Sequence, residues 1–211
     1  TEVVLARHGS VSFGEDGLAG GGVDPPLTAA GVLQARALAE RLRRVRVDAL
    51  FASPLRRARE TAAAVAEATG VQMVILDELR EVRLGEWEGQ LSARLREGGP
   101  VARRLLAEQR WEVVPGAEPH DRFAERVRAG LARIVEQAGS GATAVAVVHG
   151  GVIAEACRQA TRCAGFTFLR SENGSLSRLI HASDGSWALR SFNDVAHLES
   201  LSAECDPQIA N

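Results

Sequence analysis

The chain has 211 residues with 45% hydrophobic and 25% charged residues, enough for one substantial core and ordinary for a soluble globular protein. A net charge of −2 offers no attraction to nucleic acid or to an anionic membrane surface, and no apolar run approaches the roughly 20 residues that cross a bilayer. Three scattered cysteines with no C-x-x-C pair exclude a disulfide scaffold and a thiolate zinc site, and all 25 basic residues are arginine, which excludes lysine chemistry.

No basic region leads into a long apolar stretch at the start, so no signal peptide is expected, and the cysteine usage points to a reducing cytoplasm. Val3–Ala6 reads as a short buried strand that runs into Arg7, His8 and Gly9. Residues 10–26 are loop, rich in Gly and Pro. Thr28 is an N-cap for an amphipathic helix with Leu33, Ala37, Leu38 and Leu42 on one face. Val47–Ala52 is a second strand. The helix "SPLRRARETAAAVAEATG" follows, begun by Ser53-Pro54 and closed by Gly70, and Val71–Leu76 is a third strand.

Glu78–Pro119 is an irregular excursion with an arginine-rich helical piece from Leu91 to Trp111. A long helix spans Asp121–Gln137 and stops at Gly139. Ala144–Val148 is an apolar strand ending in His149-Gly150-Gly151, where another helix begins. Two strands, Ser175–His181 and Trp187–Phe192, flank the turn "SDGS" and run antiparallel to one another. Alternating strands and helices predict an α/β fold, a three-layer α/β/α sandwich around a mainly parallel sheet with one antiparallel edge strand. The simplest organisation is a single domain over residues 1–211, with the excursion at about 78–119 covering the active site.

Two strands thus end in a histidine and a glycine. In open α/β sheets ligands bind beyond the carboxyl ends of strands, so neighbouring strands would hang His8 and His149 over one crevice. Each histidine alone could be structural, and a metal site is the other reading. Arg7 beside His8 is electrostatically poor company for a metal ion and good company for an anion, because the planar guanidinium fork matches phosphate oxygens. Arg56 and Arg57, in the first turn of a helix, are further anion candidates, against the plainer reading of a solvated face.

The segments "ARHG", "DPPLTAAGVLQA", "SPLRRARETA", "LREVRLGEWEG", "VVHGG", "NGSL" and "NDVAHL" occur in an order that resembles the histidine phosphatase superfamily, the phosphoglycerate mutase-like family, from Val3 to about Leu198. The resemblance implies that fold and assigns roles. His8 is the nucleophile, Arg7 and Arg57 bind the phosphoryl group, His149 is the second histidine, and Glu81 is the general acid. Gly150 and Ser10 join the candidate substrate contacts, although Ser10 reads more plainly as the cap of a turn.

Those roles imply a phosphatase acting on a small phosphomonoester, with no metal and no cofactor. Arg7 and Arg57 should lower the pKa of His8, a protonated His149 should join them around the phosphoryl oxygens, and Glu81 should have a raised pKa. Neither nucleic acid nor membrane is an expected partner; a homodimer is common in the family. The interval between Glu81 and His149 is short for a cofactor-dependent mutase, the alternative enzyme. A phospho-ligand binding protein without turnover is the other alternative, and the complete five-residue set argues against it.

Ser10 stands where Glu or Gln is common after R-H-G, and "VPGAEPHDRF" resembles P-G-G-E-S with Glu118 in place but Pro119 where Ser is common; both departures concern substrate identity. His120 is read as surface or substrate contact, and His181 as structural. His197 is read as support for the core. Phe13, Trp87, Trp111 and Phe123 are candidate pocket walls or core. Arg94, Arg96, Arg103, Arg104 and Arg110 read as a solvated helix face or a second anion site.

Overall fold

The computed structural model describes residues 1–12, 20–199 and 201. Among the described residues six strands form one sheet: β1 Glu2–Arg7, β2 Ala49–Ala52, β3 Met73–Ile75, β4 Thr143–Val148, β5 Leu176–His181 and β6 Trp187–Asp194, in the order β3-β2-β4-β1-β5-β6. β1 to β4 pair in parallel, β5 runs antiparallel to β1, and β6 runs antiparallel to β5. The reversed strand is therefore β5, one place in from the edge.

β1 and β4 lie side by side at the centre and are apolar almost throughout, because both sheet faces are covered. Successive side chains alternate between two cores. Val3, Leu5, Ala144, Ala146 and Val148 face α5 (His120–Ala138) and α6 (Gly150–Thr161). Val4, Ala6, Leu50, Val145 and Val147 face α1 (Ala29–Leu42) and α2 (Arg56–Thr69). β1 is thus followed by a helix on one face and β4 by a helix on the other. The crevice between their carboxyl ends lies where the connections diverge, the usual ligand position in such sheets.

Thr28 caps α1 as expected, accepting from the Gly31 N–H at 3.0 Å. Gly70 closes α2 in the left-handed region, at φ 74°. The buried face of α1 is Gly31, Ala35, Leu38, Ala39 and Leu42, whereas Leu33 is 47% exposed. The small residues at 31, 35 and 39 let α1 pack closely on its surroundings, and that rotates Leu33 outward. The single helical piece expected over 91–111 is two helices, α3 Leu91–Glu97 and α4 Pro100–Glu108. Gly98, Gly99 and Pro100 break it: both glycines have positive φ, and the proline can only open a new helix.

From this excursion Val82, Trp87, Leu91, Leu105 and Trp111 enter the core shared with α5 and α6. Phe123 is core, His181 packs at a tilt against Trp187 with ring centroids 4.8 Å apart, and Phe13 and Cys205 lie outside the described residues.

Gly9 and Gly31 pack backbone to backbone. A Cβ on Gly31 would collide with the Ser10 carbonyl oxygen, and one on Gly9 would collide with the Gly31 carbonyl. Neither obstacle is a flexible side chain, so Gly31→Ala should push α1 off the β1–α1 loop. The expected loss of stability in urea unfolding is about 1–3 kcal/mol; a variant as stable as the parent would show that the contact relaxes freely.

Candidate active site

The ladder between β1 and β4 sets the site. Arg7 pairs with Val148, and the His8 N–H continues the ladder to the Val148 carbonyl at 3.0 Å. The next residue on each strand is a histidine, and the two rings lie 5.0 Å apart, centroid to centroid. His149 is also the N-cap of α6.

His8 is 4% exposed. Its Nδ1 is 2.7 Å from the Gly9 carbonyl oxygen, and its Nε2 is 3.2 Å from Arg57 Nε. A carbonyl only accepts and a guanidinium only donates, so Nδ1 carries the proton and Nε2 presents a lone pair. The backbone that fixes this ring is itself tied. Gly9 N–H donates to Thr61 Oγ1 at 3.1 Å, and Asn173 Nδ2 donates to the His8 carbonyl at 2.9 Å. Burial, then Arg57 and Arg7, holds the His8 pKa well below 6.5.

Arg57 is fully buried and also donates to the carbonyls of Val23 at 2.9 Å and Gly20 at 3.1 Å. Arg7 donates through Nη1 to the Ser171 carbonyl, while its Nε is buried with no hydrogen-bond partner. Its guanidinium lies beside Gly150: a Cβ there would sit 3.6 Å from Arg7 Cζ and Nε.

His149 Nε2 is 2.7 Å from Ser53 Oγ, and its Nδ1 is a second buried atom without a partner. The Leu55 N–H already donates to Ser53 Oγ at 3.3 Å, so the serine proton is available to His149 Nε2. Burial, followed by Arg57, His8 and Arg7, keeps the His149 pKa well below 6.5. Burial and the fixed cations around the ring thus oppose the charge expected on His149.

Glu81 comes from the loop before the excursion's helices. Its Oε1 accepts from the Val82 N–H at 2.8 Å and its Oε2 from the Gly151 N–H at 2.9 Å. A Cβ at Gly151 would collide with Oε1, so only glycine lets the carboxyl approach the start of α6. Burial raises the Glu81 pKa above 4.5 against the opposing pull of these two N–H groups, Arg57 and Arg7.

A cavity of about 530 Å³ opens on Arg7, His8 and Glu81, while Arg57 and His149, fully buried, lie behind its lining. Arg7, His8, Glu81, Gly150 and Gly151 line one end, and Leu84, Leu91, Leu95, Trp111 and Leu169 line the walls. Arg96 and Leu106 also line it. Trp111 is braced by Phe166 at 4.4 Å, whereas Trp87 is core.

Ser10 is not on this cavity. Its N–H and hydroxyl both donate to Gln34 Oε1, at 2.8 and 2.9 Å, and it faces a separate depression with Gln34, Asn173 and Leu198. It serves the β1–α1 turn. His120 is neither exposed nor at the cavity; it is buried at the start of α5, with Nε2 4.0 Å from Glu155. His197 Nε2 donates to the Gly174 carbonyl at 2.9 Å, beside the Asn173 loop. Arg94, Arg104 and Arg110 pair on the surface with Glu97, Glu108, and Glu112 plus Asp121, respectively.

Sequence pattern alone gives no site role to Ser53, Thr61, Ser171 or Asn173, although Ser53 and Thr61 fall in "SPLRRARETA" and Asn173 opens "NGSL". Ser53 does carry a signal once the sheet order is known, because it follows β2 directly and β2 neighbours β4. Among the described residues no group of three or more His, Cys, Asp or Glu is placed to hold a metal ion, and no helix is long and apolar enough to cross a membrane.

The chain matches the family model of the histidine phosphatase superfamily (branch 1) over residues 3–195. It is 31% identical over 205 residues to the metal-independent phosphoserine phosphatase of Arabidopsis thaliana, covering 95% of this chain and 84% of that protein. It is 32% identical to phosphoglycerate mutase-like protein 4 of the same plant, covering 94% and 87%. Among solved structures it resembles the mycobacterial glucosyl-3-phosphoglycerate phosphatase, with a TM-score of 0.78, 28% identity and coverage of 92% and 98%. It likewise resembles the phosphoglycerate mutase of Bacillus anthracis, with a TM-score of 0.80, 26% identity and coverage of 94% and 95%. A sheet order that brings two strand-end histidines together, and a family match over nearly the whole length, agree: the chain belongs to the histidine phosphatase superfamily, branch 1.

Proposed function

We propose that this chain is a phosphoric monoester hydrolase that takes the phosphoryl group from a small molecule onto His8 and passes it to water, without a metal. The observation that carries the reading is a pair of buried nitrogens without a hydrogen-bond partner, Arg7 Nε and His149 Nδ1, on two residues that both bear on His8: the His149 ring lies 5.0 Å from the His8 ring, and the Arg7 cation helps hold the His8 pKa down. Buried donors are nearly always satisfied, and two such groups around a lone-pair nitrogen fit the oxygens of a phosphoryl group.

His8 Nε2 attacks phosphorus, and the bond from phosphorus to the ester oxygen breaks. Arg57 Nε, which donates to Nε2, turns to a phosphoryl oxygen as that lone pair is committed. The proton on Nδ1 stays and keeps its bond to the Gly9 carbonyl, which steadies the positive charge on the phosphorylated ring. Arg7 and Arg57 neutralise the equatorial oxygens, the part a metal ion takes at other phosphoryl-transfer sites, and the His149 N–H donates to them. Glu81 gives its proton to the departing oxygen. Its carboxylate then takes a proton from water as the water oxygen attacks phosphorus, which frees His8 and releases phosphate. The apolar walls, Leu91, Leu95, Trp111 and Leu169, receive the alcohol portion of the substrate.

We also read the chain as one domain with residues 78–119 as its excursion over the site. A cytoplasmic location is supported by free thiols at Cys157 and Cys163, and a homodimer rests on the family resemblance alone.

Phosphate release from p-nitrophenyl phosphate should be unaffected by excess chelator and should fall at least about a thousand-fold in His8→Ala. Chelator-sensitive turnover, or activity surviving in that variant, overturns the mechanism. The pH profile gives a separate check. Neutral His8 and protonated Glu81 are the required forms. After correction for substrate ionisation, kcat/KM for phenyl phosphate should fall on the acid side only well below pH 6.5. On the alkaline side it should fall as Glu81, raised above 4.5, loses its proton. Glu81→Gln should abolish that alkaline limb; its persistence would remove Glu81 from the role.

A further inference from the structure

Glu81 sits on a stretch with little regular structure of its own. A short 3-10 turn covers Asp77–Leu79, and beyond it the chain makes one isolated bridge, Leu84 to Ala117. A general acid must nevertheless be held within hydrogen-bond reach of the departing oxygen, and a misplacement of about 0.5 Å is already costly. Because the Glu81 carboxyl is fixed partly by the N–H of its own neighbour Val82, any movement of this backbone moves the carboxyl with it.

Arg126, from the second turn of α5, grips that backbone. Its Nη1 donates to the carbonyls of Glu78 at 2.9 Å and Arg80 at 2.6 Å, three residues and one residue before Glu81. Its Nε and Nη2 donate to Glu118 Oε1 at 3.1 Å and Oε2 at 2.7 Å. Glu118 in turn donates its N–H to the Arg83 carbonyl at 2.9 Å, two residues after Glu81. One guanidinium therefore links both sides of the general acid to the rigid helix α5. Gly130, one turn further along α5, admits Glu78 and Leu79 to close contact, and Arg133 pairs with Glu78 at 2.6 Å. The side chains of Arg126 and Glu118 are only 22% and 9% exposed, so each depends on the other for compensation of its charge.

We propose that Arg126, locked by Glu118, is the positioning residue for Glu81. The inference rests on the reading of Glu81 as general acid. Four N–H groups in one plane make the link, and the single ammonium of lysine cannot reproduce it although it keeps the charge.

The test compares phenyl phosphate with p-nitrophenyl phosphate. The two are close in shape, but nitrophenolate leaves without help and phenolate needs a proton. In Arg126→Lys, kcat for phenyl phosphate should fall about ten- to a hundred-fold, kcat for p-nitrophenyl phosphate less than about threefold, and KM little for either. Glu118→Gln keeps shape and one acceptor, so it should move the same ratio in the same direction by less, and it carries the test if Arg126→Lys does not fold. Glu81→Gln is measured alongside. If Glu81→Gln shifts the ratio and neither clamp variant does, the positioning role is overturned while the general acid stands. If Glu81→Gln leaves the ratio unchanged, the reading of Glu81 falls and the inference falls with it.

Discussion

The constraint on which this molecule depends is the burial of two guanidinium groups and two imidazoles at the carboxyl ends of adjacent strands. Such a cluster is costly to keep out of water. The fold meets that cost with backbone oxygen. The carbonyls of Ser171, Gly20 and Val23 accept from Arg7 and Arg57, and the Gly9 carbonyl faces His8. Three of these four acceptors come from the loop after β1. Gly9, Gly20 and Val23 thus hold the imidazole and the guanidinium with backbone rather than side-chain oxygen.

The same logic explains where the sheet and the excursion meet. β1, β2 and β4 supply His8, Ser53 and His149 directly, as residues one step past strand ends whose register is fixed by the central ladder. Glu81 has no strand of its own. It reaches the site because Gly151 admits its carboxyl to the start of α6, and α5 holds its backbone through Arg126. The site thus has one half placed by the sheet and another placed by helix contacts. A substitution on α5 that breaks this link therefore reaches the second half of the site from outside the cavity.

Much of this was legible in the residues. The strand-end histidines, the arginine beside one of them and the Thr28 cap follow from local pattern, and local pattern is decided within a few residues. What was not legible needed the third dimension. Leu33 lies on the apolar stripe of α1 by periodicity, but a stripe of small residues sets how α1 packs and turns Leu33 out. Ser10 adjoins the catalytic segment in sequence, yet Gln34 holds its hydroxyl away from the cavity. His120 looked like a surface residue at a helix start and is buried against Glu155. Ser53 gained meaning only once β2 was known to neighbour β4. For these last three the deciding partner is remote in the chain, as Gln34 is from Ser10 and His149 from Ser53.

Protonation is where the arrangement is most economical. Burial is the largest influence on both His8 and Glu81, and it acts in opposite directions: it favours the neutral imidazole and the neutral carboxyl. In the mechanism proposed above, a single cause yields a nucleophile with a free lone pair and an acid with a proton to give. The arginines are not equally helpful. Arg57 and Arg7 reinforce the effect at His8 but oppose it at Glu81, as do the N–H groups of Gly151 and Val82. Glu81 is therefore held in a balance that charge in the cavity can tip. A phosphoryl dianion between the arginines offsets their pull and favours the protonated acid when the ester is bound. Once the proton has gone to the leaving group, the two N–H groups stabilise the carboxylate that must next accept a proton from water. In the proposed mechanism those N–H bonds, which work against the acid in the first step, favour the base required in the second.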